Sequence, residues 1–166
     1  MTLRADAQRN LDRLLDAAAE CFAEQGVDAS IDEIARRAGV GHGTVFRRFP
    51  TKDALLAAVL AGQMLQLSNT ADTAYAEPDA GVAFDRFIRN VADAYARNRS
   101  LIEAMKRCEA TPEVDALLHS VSRLLRRAQD AGAVRTDVSA EDVLALVPTA
   151  STYPQIVLDG LRPPTR

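Results

Sequence analysis

Apolar residues recur along this chain at helical spacing, and no convincing strand alternation is found. Leu11, Leu14, Leu15, Ala18, Cys21 and Phe22 fall at i, i+3, i+4, i+7, i+10 and i+11, which predicts an amphipathic helix over about 9–25, ended by Gly26. Ser30-Ile31-Asp32-Glu33 reads as a capping box, the serine accepting from the Glu33 amide while the glutamate reaches back, so a short helix is expected over 31–38. Gly39 interrupts it. A second short helix is expected at about 43–49, and Thr51, after Pro50, is placed to cap a long helix through about residue 70.

Further on, Phe84, Phe87, Ile88, Val91, Ala92 and Tyr95 form another helical stripe, followed by a short apolar segment from Leu101 to Cys108. Thr111-Pro112 suits a cap and first helical position, and Val114, Leu117, Leu118, Val121, Leu124, Leu125 and Ala128 give the strongest amphipathic pattern, stopped by Gly132. Ser139 starts another helix, about 139–147, and a last short one is expected at 153–160. The fold class is therefore all-α, and no internal repeat or low-complexity tract interrupts it.

The region 31–49 is the informative one. Two helices crossing steeply through a short turn need small residues where they touch, and Ala35 and Gly39 stand at those places. Ile31, Ile34, Val40, Val45 and Phe49 supply the apolar contacts, Val45 and Phe49 being assigned to the core. The spacing fits a helix-turn-helix, which sets its second helix in the DNA major groove.

Charge first speaks against that reading. The 166 residues carry 20 Lys+Arg against 23 Asp+Glu, a net −3, with a pI near 5.4, whereas nucleic-acid binders usually have a basic balance. The distribution of those charges removes the objection. Residues 1–35 hold three arginines and eight acids, while Arg36, Arg37, Arg47, Arg48 and Lys52 are the only charged groups of residues 36–52. A solvated helix face is the plain alternative for such a block. Its coincidence with the helix-turn-helix spacing favours a DNA-binding surface.

Composition limits the other possibilities. No run of about 18 uncharged apolar residues is present, so no membrane span is expected, and MTLRADAQRN lacks the apolar stretch of a signal peptide, so a cytoplasmic chain is expected. Cys21 and Cys108 sit among helical apolar positions and read as small buried residues. There is no Ser/His/Asp set, ExxH pair, Gly-rich phosphate loop or acid pair at defined spacing, which makes a helical-bundle enzyme the weaker hypothesis; a pure interaction module leaves the cationic block unexplained. His42 has no second ligand at useful spacing, so neither a metal nor a cofactor is expected. His119 lies off the apolar stripe, facing solvent or lining a pocket.

Residues 8–56, above all SIDEIARRAGVGHGTVFRRFPTKDALL, resemble the DNA-binding domain of the TetR family of bacterial transcriptional regulators. The I-A-x-x-A-G-V pattern, a recognition helix ending in an aromatic and the P-[ST]-K-[DE]-x-L start of the next helix are all present. The resemblance implies a three-helix DNA-binding domain with a helix-turn-helix over residues 1–50, followed by a helical ligand-binding and dimerisation bundle over 51–166. Gly41, His42, Gly43 and Thr44 would start the recognition helix, reaching base edges and phosphates. Arg47 and Arg48 can each meet a guanine or a phosphate. Lys52 is similar to the family's phosphate-contacting lysine, and Ser30 is either a phosphate donor or only a cap. Phe46 stands where the family often has tyrosine, and it has no hydroxyl to give a phosphate.

The resemblance also implies a homodimer that binds an inverted repeat in double-stranded DNA as its operator. The last two helices would join it, with Val143, Leu146, Val147, Ile156 and Leu158 as candidates, although the final helix is short. It implies as well a small apolar effector held in the bundle, for which Met64, Leu67, Phe84, Phe87, Tyr95, Met105 and Leu118 are candidates; plain core is the alternative for that stripe. A repressor released by its effector is the expected function. An activator, or a regulator without effector, stays open.

Overall fold

The structure is a computed structural model and describes residues 2–97 and 111–164. Among the described residues the helices are α1 (Thr2–Gln25), α2 (Ile31–Ala38), α3 (His42–Arg48), α4 (Lys52–Tyr75), α5 (Ala80–Arg97), α6 (Pro112–Asp130), α7 (Ala140–Ala145), α8 (Val147–Ala150) and α9 (Pro154–Leu161), and there is no strand. The apolar segment 101–108, with Met105 and Cys108, lies outside them.

Periodicity places the start of α1 at about residue 9, yet the helix begins at Thr2. Residues 6–10 are exposed. Side-chain bonds one turn apart, Arg9 to Asp6 and Gln8 to Asp12 (2.8 Å), support them instead, and such contacts leave no apolar stripe to read. Gly26 ends the helix at a left-handed φ of 72°, as expected. Thr51 caps α4 by accepting from the Ala54 amide at 3.1 Å.

The chain forms two compact units. The first comprises α1, α2, α3 and the beginning of α4 to Gln63, around Phe22, Ile34, Val45 and Leu55, each no more than 1% exposed. The division expected after residue 50 thus falls inside α4, because Leu55, Val59 and Leu60 close the core of the DNA-binding helices. Cys21 is wholly buried in that core, which raises its thiol above the ordinary range.

The second unit comprises Met64–Arg97 and the helices from α6 onward. The stripe from Phe84 to Tyr95 is buried along its whole length against Leu117, Val121, Leu124, Leu125 and Ala128 and the last helices. Arg127 donates to the carbonyls of Tyr75 (2.8 Å), Pro78 (3.0 Å) and Glu77, satisfying the turn between α4 and α5. A complete capping box does occur, at Ser139 and Asp142. The helix expected over 139–147 is split into α7 and α8, and Pro148 lies in the first turn of α8, where a missing N–H is tolerated.

Among the described residues one helix, α4, is long and apolar enough by composition to cross a membrane. Its apolar side is used within the protein: Leu55, Val59, Leu60, Ala71 and Ala74 are buried, and Gln63, Gln66 and Asn69 interrupt the stretch.

Candidate nucleic-acid interface

Backbone chemistry builds the helix-turn-helix. Gly39 takes φ 67°, ψ 32°, and its N–H and that of Val40 bond to the carbonyls of Arg36 and Ala35, which closes α2 in a Schellman turn. Any residue with a Cβ would be strained at that φ. Gly41 then begins α3, its carbonyl accepting from Thr44 (2.8 Å) and Val45 (3.3 Å). Val45 anchors the helix at 1% exposure, with Phe49 half-buried behind it. Gly41, His42, Gly43, Thr44, Phe46, Arg47 and Arg48 are all exposed.

Ser30 is a cap, but the expected box does not form. Its hydroxyl accepts from the Asp32 amide at 3.2 Å, and the Glu33 side chain is taken elsewhere. Arg36 donates to Glu33 at 2.9 and 2.7 Å, and Arg37 donates to it at 2.9 Å. Two guanidiniums thus compete successfully with the one N–H that Ser30 offers. Arg37 also reaches back to α1, donating to both Glu24 oxygens at 2.9 and 2.6 Å.

This network changes the meaning of the cationic block. Arg36 and Arg37 neutralise acids of α1 and α2, which leaves Arg47, Arg48 and Lys52 as its cations without an acidic partner among the described residues. Arg36 and Arg37 beside Glu33 hold its carboxyl down at about 2, and Arg37 holds Glu24 below its usual range. A carboxyl whose folded value is depressed contributes stability above its unfolded value, and that contribution disappears as pH falls through the folded one. The stability difference between the wild type and Arg37→Met is therefore expected to narrow as pH falls from 4.5 to about 2, measured as the gap between thermal midpoints. A gap that stays constant across that window would remove Arg37 from the account of stability.

Alongside α3 runs a cleft of about 440 Å³, bounded on the α1 side by Gln8, Asn10 and Leu11 and on the other by Thr44, Arg47 and Arg48. Guanidiniums and side-chain amides along a cleft are donors suited to a phosphate backbone. Gln8 and Asn10 carry no apolar period and no charge, so the sequence offered no signal for them. Arg47 lies along its own helix, donating to Gly43 O at 3.2 Å. Lys52, half-buried, opens α4.

The other expected sites are placed differently. Phe84, Phe87 and Tyr95 are closed into the core of the second unit, Met64, Leu67 and Leu118 are half-buried, and Met105 is outside the described residues. Of these, Phe87 borders a cleft of about 290 Å³ between α4 and α5, whose other walls are chiefly polar: Gln66, Asn69, Thr70, Glu77 and Arg86 among them. Among the dimer candidates, Val143 (1% exposed), Val147 (6%) and Leu158 (1%) are already buried within their own unit and cannot supply area to a second copy. Leu146 is half-buried and Ile156 is 68% exposed, next to an exposed Tyr153.

Residues 14–59 match the family model described as bacterial regulatory proteins, tetR family, and residues 79–163 match that of the SbtR-like transcriptional regulator C-terminal domain. The crystal structure of the TetR transcription regulatory protein from Mycobacterium vanbaalenii is similar at a TM-score of 0.78, with 38% identity, over 97% of this chain and 99% of that one. The HTH-type transcriptional regulator UidR of Escherichia coli is 27% identical over 151 residues, 82% of this chain and 75% of its own. SrpR, an HTH-type transcriptional regulator of Pseudomonas putida, is 46% identical over 71 residues, which are 41% of this chain and 33% of SrpR.

Proposed function

The chain belongs to the TetR family of bacterial regulatory proteins, and from that membership we propose that it is a homodimeric repressor, bound to an inverted repeat in duplex DNA and released by a small-molecule effector. It is a DNA-binding transcriptional regulator and not an enzyme. One observation carries the finer reading: α3 buries Val45 and turns His42, Thr44, Phe46, Arg47 and Arg48 outward together, with the arginines unneutralised. Arg47 and Arg48 then serve base edges or phosphates, Lys52 a phosphate, and the amide side of the α1 cleft a backbone phosphate.

A single helix of this length touches few base pairs, so two copies are needed to reach specific affinity, their recognition helices about 34–36 Å apart in successive major grooves. Ile156 is the exposed apolar residue of α9 and supports that helix as part of the joint. Ile156→Glu is expected to move the protein from dimer to monomer in sedimentation at micromolar concentration. A variant that sediments as the wild type would exclude this face.

The effector belongs to the second unit, where the cleft beside Phe87 offers amides, hydroxyls and an Arg86–Glu77 ion pair, which favours a polar ligand over an apolar one. Such a ligand acts only through unequal affinity for the DNA-competent and incompetent conformations. Regulation of this kind takes place where the chromosome is, in the cytoplasm.

A further inference from the structure

The histidine at the start of α3 is held by its neighbours in a way that decides what it can read. His42 Nδ1 contacts the Asp32 carboxylate on α2, and its ring lies 4.6 Å from that of Phe46, tilted by 40°. An ionised carboxylate only accepts, so the shared proton belongs to Nδ1. In the neutral ring Nε2 is then an acceptor; in the imidazolium it is a donor. Nε2 has no partner among the described residues, and the two side chains are 54% and 78% exposed, open to an approaching duplex.

We propose that Asp32 is a positioning residue for DNA reading: it fixes the orientation and tautomer of His42, so that the base accepted at the pair beneath His42 changes with pH. The inference rests on the DNA-binding reading above. With the ring neutral, Nε2 accepts from an exocyclic amine, adenine N6 or cytosine N4; with the ring charged, Nε2 donates to guanine N7 or O6. Asp32 is the charged group of α2 that meets the ring, while its neighbour Glu33 is bound to Arg36 and Arg37. On α3 itself Arg47 and Arg48 follow, Arg47 bonded to Gly43 and Thr44, and α1 borders the adjoining cleft with the uncharged Gln8 and Asn10.

The plain reading is that Asp32 merely begins α2 and His42 merely faces water. It is separated by selecting duplexes from a random library with the full chain at about pH 6 and about pH 8, at one salt concentration. The pair beneath His42 is the one whose preference is lost in His42→Gln, a side chain that donates and accepts without titrating. For the wild type, the guanine preference at that pair is expected to rise about tenfold at the lower pH, the scale of one charge-assisted hydrogen bond. Asp32→Ala removes the partner that holds the Nδ1 proton, so the ring is free to turn and to take either tautomer, and the preference at that pair is expected to flatten at both pH values. His119→Gln, a control in the second unit, behaves as the wild type.

Equal preferences at both pH values in the wild type, or a preference in Asp32→Ala as sharp as that of the wild type, would overturn the proposal while leaving DNA binding intact. No enriched duplex at either pH would sink the DNA-binding reading itself, and this one with it.

Discussion

Arg47→Ala is expected to weaken binding to a selected duplex by about a hundredfold, because loss of a base- or phosphate-contacting arginine costs about 1–3 kcal/mol and a dimer loses it twice. Adding Lys52→Ala deepens the loss and lowers the slope of log affinity against log salt by about one for each phosphate contact removed. That slope separates the two roles left open for Arg47: a phosphate contact lowers it, whereas a guanine contact lowers affinity and relaxes sequence preference at one position. The control comes from the ion-pair network. Arg36 is committed to Glu33 at 2.7 and 2.9 Å, so Arg36→Ala should leave affinity within about threefold of the wild type, inside the energy of an exposed pair. Fluorescence anisotropy across a salt series reads all of these. Equal losses for Arg36→Ala and Arg47→Ala would mean that the cationic block acts as diffuse charge and that α3 is not the reading element.

The largest effect on stability is expected at Phe22, which is fully buried in the first unit among Ile34, Val45 and Leu55. Phe22→Ala removes most of a phenyl side chain from a closed core, a change that costs about 3–5 kcal/mol once the residual cavity is included. The first unit has few elements to share that loss, so its helices should melt well below the wild-type midpoint, and duplex binding should be lost at temperatures where the wild type binds. Phe46→Ala is the matched comparison, since Phe46 is 41% exposed and should shift the midpoint little. Circular dichroism melts decide it. Equal midpoints for the two variants would show that the packing around Phe22 does not support the helix-turn-helix.

What the sequence made legible was the part specified by local spacing. Ala35, Gly39, Val40 and Val45 fix the turn and the anchored side of α3, and each is where the periodicity puts it. Partnership across helices is harder to read. The Glu33 to Arg37 spacing is visible along one helix, but the reach from Arg37 to Glu24, 13 residues away, depends on how α2 crosses α1. By sequence the block 36–52 consequently counts as five free cations when two are engaged. The same limit affects the end of the chain. A stripe such as Val143, Val147 and Leu158 shows that one side is apolar without saying whether the chain's own core or a second copy covers it, and here the core does. The polar cleft beside Phe87 is illegible for a related reason, since Gln66, Thr70 and Arg86 come together only when α4 and α5 lie side by side.

The most direct test of symmetric DNA reading presents the full chain to a random duplex library and sequences what it retains. The expected result is an inverted repeat whose half-sites are centred about one helical turn, 10–10.5 base pairs, or a multiple of it apart, bound with affinity that falls steeply as salt rises. Retention of no sequence above background, or of sequences without two-fold symmetry and without salt dependence, would contradict it.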